Sequence, residues 1–219
     1  MNAQRPRQRL YLVTPQLGET AAFARDLGAA LGAGDVAAVL LRLEAADERT
    51  LINRTKVVGE IVQGRDIALL LDGHPEIVAR AGADGAHLTG IAALTAALAT
   101  LKPERIAGAG GLRSRHDAML AGEAGADYVM FGEPGRSGSR PLFDAVVERV
   151  GWWAELFEGP CVGYAASLDE ATALAEAGAD FVALGDWTWT QGDAPAMVAA
   201  AANRLAQPVA RAGPGAVSP

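Results

Sequence analysis

The stretch "GADYVMFG", residues 125–132, sets a glycine, a small residue and an aspartate directly before a short apolar run. The tetrapeptide AGAD occurs at 81–84, 124–127 and 177–180, and each copy leads into such a run: "GAHL" at 85–88, "YVMFG" at 128–132 and "FVALG" at 181–185. A helical pattern precedes every copy. The glycine therefore fits the position just past a helix, where positive φ is cheap for a residue without Cβ. The aspartate then falls in the turn that enters the next strand. A helix–turn–strand joint used three times implies a repeating β/α architecture. In such an architecture AGAD is scaffold on the face opposite the ligand-binding loops.

Working outward, further strands are expected at "LYLVT" (10–14), "VAAVLLRL" (36–43), "IALLL" (67–71), "RIAGA" (105–109) and "PCVGY" (160–164). Helical patterns fall between them, at about 19–31, 47–64, 75–82, 91–101, 114–125, 142–157, 167–178 and 193–206. Plausible caps are Thr20, Ser114, Ser167 with Glu170 as a capping box, and Asp193. Eight β–α pairs predict a single-domain α/β fold, the (β/α)8 TIM barrel, over residues 10–206. An open doubly wound sheet would carry a Gly-rich fingerprint after its first strand, and "LYLVTPQLGET" has none. Residues 1–9 and 207–219 read as a flexible N-terminal segment and a flexible Pro/Gly tail.

The chain has 219 residues, half of them apolar, with a formal net charge of −7 and one cysteine, Cys161. That supports a full core, and an acidic chain without a basic stripe argues against a nucleic-acid partner. No apolar run approaches the length of a membrane span, and no apolar segment follows the basic start as a signal peptide would require. A lone cysteine suits a cytoplasmic protein, and a homo-oligomer is compatible with this composition.

Chemistry in such barrels sits on the loops after the strands. Those loops begin with "TPQ" (14–16), Arg42 to Glu44, "DGH" (72–74), "TG" (89–90) and "GGLRSRH" (110–116), and close with "EPGRSGSR" (133–140), "AAS" (165–167) and "DWTWTQGD" (186–193). The loop containing Arg136, Ser137, Gly138, Ser139 and Arg140 suits a phosphate, since it offers hydroxyls, an approachable backbone and forked cations. A solvated βα loop is the equally weighted alternative. Asp72 and His74 could supply a carboxylate and an imidazole, although Asp72 reads more simply as the start of an Asx turn. Trp187 and Trp189 could stack a flat ligand, but capping the barrel end is the safer reading. His87 reads as a hydrogen-bonded packing residue, His116 as solvent-facing, and Trp152 and Trp153 as core. No spacing of His, Cys, Asp and Glu matches a zinc site.

From "YLVTP", Arg42, "ADGAHL", "GADYVMFG" and "GADFVAL", the chain resembles the thiamine-phosphate synthases and their thiazole tautomerase relatives across residues 10–205. The resemblance implies a (β/α)8 barrel that joins hydroxymethylpyrimidine diphosphate to thiazole phosphate, releasing pyrophosphate with the help of Mg²⁺. Arg42 matches the family's strand-2 motif, while Leu40 replaces its Gln and Glu44 its pyrophosphate-binding Lys. The metal-binding Asp positions fall on Gly73 and Ala92, so Mg²⁺ is implied only if Asp72 or Glu44 takes their place. His87 and Leu88 match the strand-4 motif, Gly110 stands for a Ser and Leu112 for a His. Ser137, Gly138, Ser139 and Arg140 are chemically similar to the strand-6 Thr-x-Thr-Lys. Ala165-Ala166 stand at the phosphate-binding Gly-Gly, and Leu184-Gly185 at a Val-Ser. The resemblance thus implies a synthase-type transferase with a small phosphorylated heterocycle as partner. A non-catalytic binder of such a ligand is the alternative, as is another phosphate-ligand barrel enzyme.

Overall fold

The structure is a computed structural model that describes residues 7–135 and 137–206. Arg136, the segment 1–6 and the tail 207–219 lie outside the described residues, as does the flexibility expected of both ends. Eight parallel strands close in sequence order: β1 (Arg9–Leu17), β2 (Val36–Leu43), β3 (Ala68–Asp72), β4 (Gly85–Thr89), β5 (Ile106–Gly110), β6 (Tyr128–Phe131), β7 (Cys161–Ala165) and β8 (Phe181–Leu184). The helices are α1 (Thr20–Leu31), α2 (Glu48–Gln63), α3 (Val78–Ala81), α4 (Ile91–Leu101), α5 (Arg115–Ala124), α6 (Phe143–Leu156), α7 (Leu168–Ala177), α8 (Trp187–Thr190) and α9 (Ala194–Ala206). This is the (β/α)8 barrel that the repeat implied.

The strands are apolar on both faces because both are covered. Tyr11, Val13, Ala38, Leu40, Leu70, Tyr128, Met130, Val162, Tyr164 and Ala183 fill the barrel interior. Alternate residues such as Leu12, Val39, Leu69, Val129 and Val182 pack outward against the helices.

The AGAD joints behave as hinges fixed by hydrogen bonds. Gly82, Gly125 and Gly178 take left-handed φ of 75°, 100° and 103° just past α3, α5 and α7. Each following aspartate reaches back to the preceding strand. Asp84, Asp127 and Asp180 accept the N–H groups of Leu69, Ala107 and Cys161 at 2.7, 2.7 and 2.8 Å. Their own N–H groups donate to the carbonyls of those same residues, at 2.8, 2.9 and 3.0 Å. One aspartate thus pins two strands at the N-terminal face, opposite the strand ends that carry the ligand loops. Asp84 also lines an open depression of about 390 Å³ there, with Gln63, Ile67 and Ile106. Asp127→Ala should cost about 1 kcal/mol in denaturant unfolding, the worth of a lost hydrogen bond, and leave ligand affinity unchanged.

Four expectations need correction. β1 continues through "TPQ", so Thr14, Pro15 and Gln16 belong to the strand; its pairing with β2 is irregular between Val13 and Gln16, where Pro15 has no N–H to donate. The helix expected at 75–82 narrows to α3, because Gly73 and His74 turn the chain with φ of 78° and 54°. Thr20 is the first residue of α1 rather than its cap, and Glu19 precedes it with no side-chain cap bond. Within the last rim loop, Trp187–Thr190 forms the short helix α8.

Candidate functional site

The C-terminal mouth gathers charged side chains from several strand ends, and Arg42 is at its centre. Its Nη1 donates to Asp186 Oδ1 at 3.0 Å, and its Nε lies 3.5 Å from Asp72 Oδ2. Asp72, expected to begin an Asx turn, is therefore paired with a cation from the neighbouring strand β2. Asp186 comes from the turn after β8, a position that nothing in the sequence pattern tied to Arg42. Glu44 lies over Gly18, where an added Cβ would run into its carboxylate. His74 bonds Glu76 at 3.2 Å through Nδ1 and stands outside the Arg42 cluster.

The loop after β6 is a tight turn. Gly138 has φ of 78°, its N–H donates to the Gly135 carbonyl at 2.8 Å, and Gly135 N–H donates to Ser139 O at 2.9 Å. The Ser137 and Ser139 hydroxyls meet at 2.8 Å on the exposed tip. Arg140 anchors the base. Its Nε donates to Gly132 O at 3.1 Å and its Nη2 to Tyr164 O at 3.2 Å. Nη1 and Nη2 grip the Glu170 carboxylate at 3.3 and 2.8 Å, and the guanidinium lies 5.4 Å over the Tyr164 ring.

Glu170 was expected to return to its own helix cap. Ser167 does accept Glu170 N–H at 3.1 Å, but the carboxylate accepts Ala166 N–H at 2.7 Å and binds Arg140. The reciprocal capping box forms at Ser114 and Asp117 instead. Partial burial pushes Glu170 up, yet the bonds from Arg140 and Ala166 outweigh it and hold the carboxyl below its ordinary range. Trp187 and Trp189 act as rim ties: their indole N–H groups donate to Ala165 O and Val13 O at 2.8 and 2.7 Å.

His87 is the hydrogen-bonded packing residue that its place inside a strand implied, whereas its partners Tyr128 and Tyr11, and Glu133 above them, escaped sequence reasoning. His87 is 3% exposed and lies inside the barrel; its Nδ1 meets the Tyr128 hydroxyl at 2.9 Å, which meets the Tyr11 hydroxyl at 2.9 Å. Above them Glu133 accepts the N–H of Gly111. Burial pushes the Tyr11, Tyr128 and Glu133 protons toward retention, and Asp72 adds to all three. A signal for these residues existed in "RIAGAGG". A strand with glycines at alternate inward positions leaves room for large side chains from its neighbours.

His87 makes a pH prediction. Burial lowers its pKa below 6.5, with the charge of Asp72 opposing. The stability held by its neutral form is complete above 6.5 and is lost as pH falls through the folded-state value. The unfolding free energy should therefore drop on acidification by up to about 1.4 kcal/mol per pH unit. In His87→Asn that part of the acid limb should flatten; an unchanged limb would assign it to other groups.

Among the described residues no three His, Cys, Asp or Glu side chains converge as a metal site. No described helix is long and apolar enough to cross a membrane.

Comparison with known proteins agrees with this geometry. The sequence model of the family described as "Thiamine monophosphate synthase" matches residues 10–187. A protein of Rhodospirillum centenum named thiamine-phosphate synthase is 40% identical over 90% of this chain and 97% of its own length. One of the same name from Hyphomonas neptunium is 38% identical over 94% of this chain and 97% of its own. Among solved structures, a thiamine phosphate pyrophosphorylase from Pyrococcus furiosus superposes with a TM-score of 0.76 at 20% identity, covering 92% of this chain and 96% of that one. At that identity the superposition speaks for the fold.

Proposed function

The chain belongs to the thiamine monophosphate synthase family, and on that premise we propose that it binds a phosphorylated heterocycle of the thiamine-phosphate reaction at its barrel mouth, with slow turnover or none. The observation that carries the reading is Arg42 held between Asp186 and Asp72. A diphosphate reaching Arg42 must compete with two carboxylates already there. Each unit-charge pair at ~4 Å is worth about 1 kcal/mol in water and about 4 at an effective dielectric of 20. With Arg42 one-third exposed, the lower end applies, and even that disfavours a second anion.

The Mg²⁺ that the family resemblance implies does not fit the residues present. Asp72 is paired with Arg42, and Glu44 is turned over Gly18. The monoester end of the ligand is assigned to the Ser137–Gly138–Ser139 turn, whose two hydroxyls bond each other at the tip and, once that bond is exchanged for the ligand, can each donate to a phosphate oxygen. Arg140 supports this turn from below and supplies a positive charge offset by Glu170.

The second reading is a working synthase, joining hydroxymethylpyrimidine diphosphate to thiazole phosphate with loss of pyrophosphate. It is favoured by relatives of that name that are 40% and 38% identical over nearly their whole length. Purified protein assayed with both substrates and Mg²⁺, beside thermal shifts with each ligand, separates the two. Stabilisation by thiazole phosphate without formation of thiamine phosphate is the expected result. Sustained turnover would establish the second reading in its place.

A further inference from the structure

Asp186 directly precedes α8, a place where an aspartate ordinarily turns its carboxylate onto the helix's own N–H groups. Here it makes no such bond. Both of its oxygens accept from Arg42 Nη1 instead, at 3.0 and 3.3 Å, and they have no other hydrogen-bond partner among the described residues. Gly185 makes this possible. A Cβ at 185 would fall closer than 3.0 Å to the hydroxyl and ring of Tyr164. Only a residue without a side chain therefore lets the chain leave β8 over that tyrosine and deliver Asp186 to Arg42.

The main chain of this turn is held from three sides. Trp187 and Trp189 tie it to β7 and β1 through their indole N–H groups, and Trp189 packs edge-on against Phe23 of α1 with centroids 4.7 Å apart. The Asp186 side chain, by contrast, is half-exposed and can swing into solvent while the turn stays in place. Asp72 is the weaker partner, since it reaches Arg42 Nε only at 3.5 Å, without a hydrogen bond. A guanidinium serves carboxylate and phosphate oxygens with the same forked donors. Asp186 therefore occupies the donor that an incoming phosphate group would use.

We propose that Asp186 sets the specificity of the mouth. As an internal stand-in for an anion it competes with a diphosphate for Arg42, and it leaves a monoester held at the Ser137–Ser139 turn unopposed. This role rests on the proposed ligand-binding function and adds to it the residue that decides which phosphorylated ligand is admitted. An exposed ion pair holds its partner by up to about fivefold. A like charge left beside the bound anion opposes it by about as much. Asp186 is thus strong enough to bias binding and weak enough to be displaced.

The test is calorimetric titration of the full chain with inorganic pyrophosphate, in metal-free buffer at fixed ionic strength, and separately with thiazole phosphate. Asp186→Asn should bind pyrophosphate about tenfold more tightly than wild type and thiazole phosphate equally well. Asp186→Ser is a second neutral variant with the same expected gain, whereas Asp186→Glu keeps the charge and should gain nothing. Asp193→Asn makes the same change in net charge on the same loop and preserves the cap on Ala196 N–H, so it too should gain nothing. Because the expected effect is a gain, impaired folding cannot imitate it. Pyrophosphate affinity that is unchanged or lowered in both neutral variants, or raised as much by Asp193→Asn or Asp186→Glu, would overturn the assignment. So would a parallel gain for thiazole phosphate. If wild type and both neutral variants bind thiazole phosphate and ignore pyrophosphate, the assignment falls and the proposed function stands. Wild-type protein that binds neither ligand would overturn the proposed function together with this role.

Discussion

Arg140→Ala should lower stability by about 2–3 kcal/mol and weaken phosphorylated and unphosphorylated ligands alike. Removing one partner of a buried ion pair costs about 3–5 kcal/mol, because the other charge stays behind unpaired. Arg140 and Glu170 are 23% and 21% exposed, so solvent screens part of that cost. Without the guanidinium, Glu170 keeps only Ala166 N–H, and the carbonyls of Gly132 and Tyr164 lose a donor. Those carbonyls belong to the ends of β6 and β7, so the loss loosens the rim under the Ser137–Ser139 turn. Arg140→Lys should recover only part of the stability, since an ammonium cannot reproduce the fork that spans Glu170 and two carbonyls. Urea unfolding reads the first effect and calorimetry the second. A selective loss for the phosphorylated ligand at full stability would place Arg140 in direct contact with phosphate.

That prediction shows how far the sequence could be read. The Gly-Ser-Arg composition of the β6 loop is visible in the chain, and it suits a phosphate. What the chain does not display is that Glu170, 30 residues on, occupies the arginine. Pairings of this kind depend on which loops the closed barrel brings together. Arg42 and Asp186 are 144 residues apart and meet only because β8 closes on β1 beside β2. The AGAD joints were legible for the opposite reason. Their φ > 0 glycine and strand-pinning aspartate are local needs, repeated wherever a helix hands over to a strand. Local rules failed where tertiary contacts overrode them, as when Glu170 left its own cap for Arg140. His87 was legible as a hydrogen-bonded packing residue, but its tyrosine partners Tyr128 and Tyr11 stayed hidden, because which face each strand residue takes depends on register.

Register also underlies the last large effect. Gly108→Ala should destabilise the protein by about 1–3 kcal/mol, the usual penalty of overpacking a filled core. Gly108 pairs with His87 on one side and with Tyr128 on the other. All three residues face the barrel axis, so the glycine is the gap into which the tyrosine ring leans. A Cβ at 108 would fall closer than 3.0 Å to ring carbons and the hydroxyl of Tyr128. The ring cannot swing aside cheaply. It stacks on His87 with centroids 5.7 Å apart, and its hydroxyl is bonded to both His87 and Tyr11. Moving it would leave those buried polar atoms unsatisfied, an added cost of about 1–3 kcal/mol for each stranded group. Gly163→Ala is the milder comparison: its Cβ would meet side-chain atoms of the buried Leu174 at 3.0–3.2 Å, a contact relieved by a shift of a few tenths of an ångström and one that strands no polar group. Its cost should be under about 1 kcal/mol, below the overpacking range. Pairing Gly108→Ala with Tyr128→Leu should recover part of the loss, because the smaller side chain vacates the clash, giving a favourable coupling in a double-mutant cycle. Additive losses would mean that Gly108 is required by its backbone and not by the tyrosine above it.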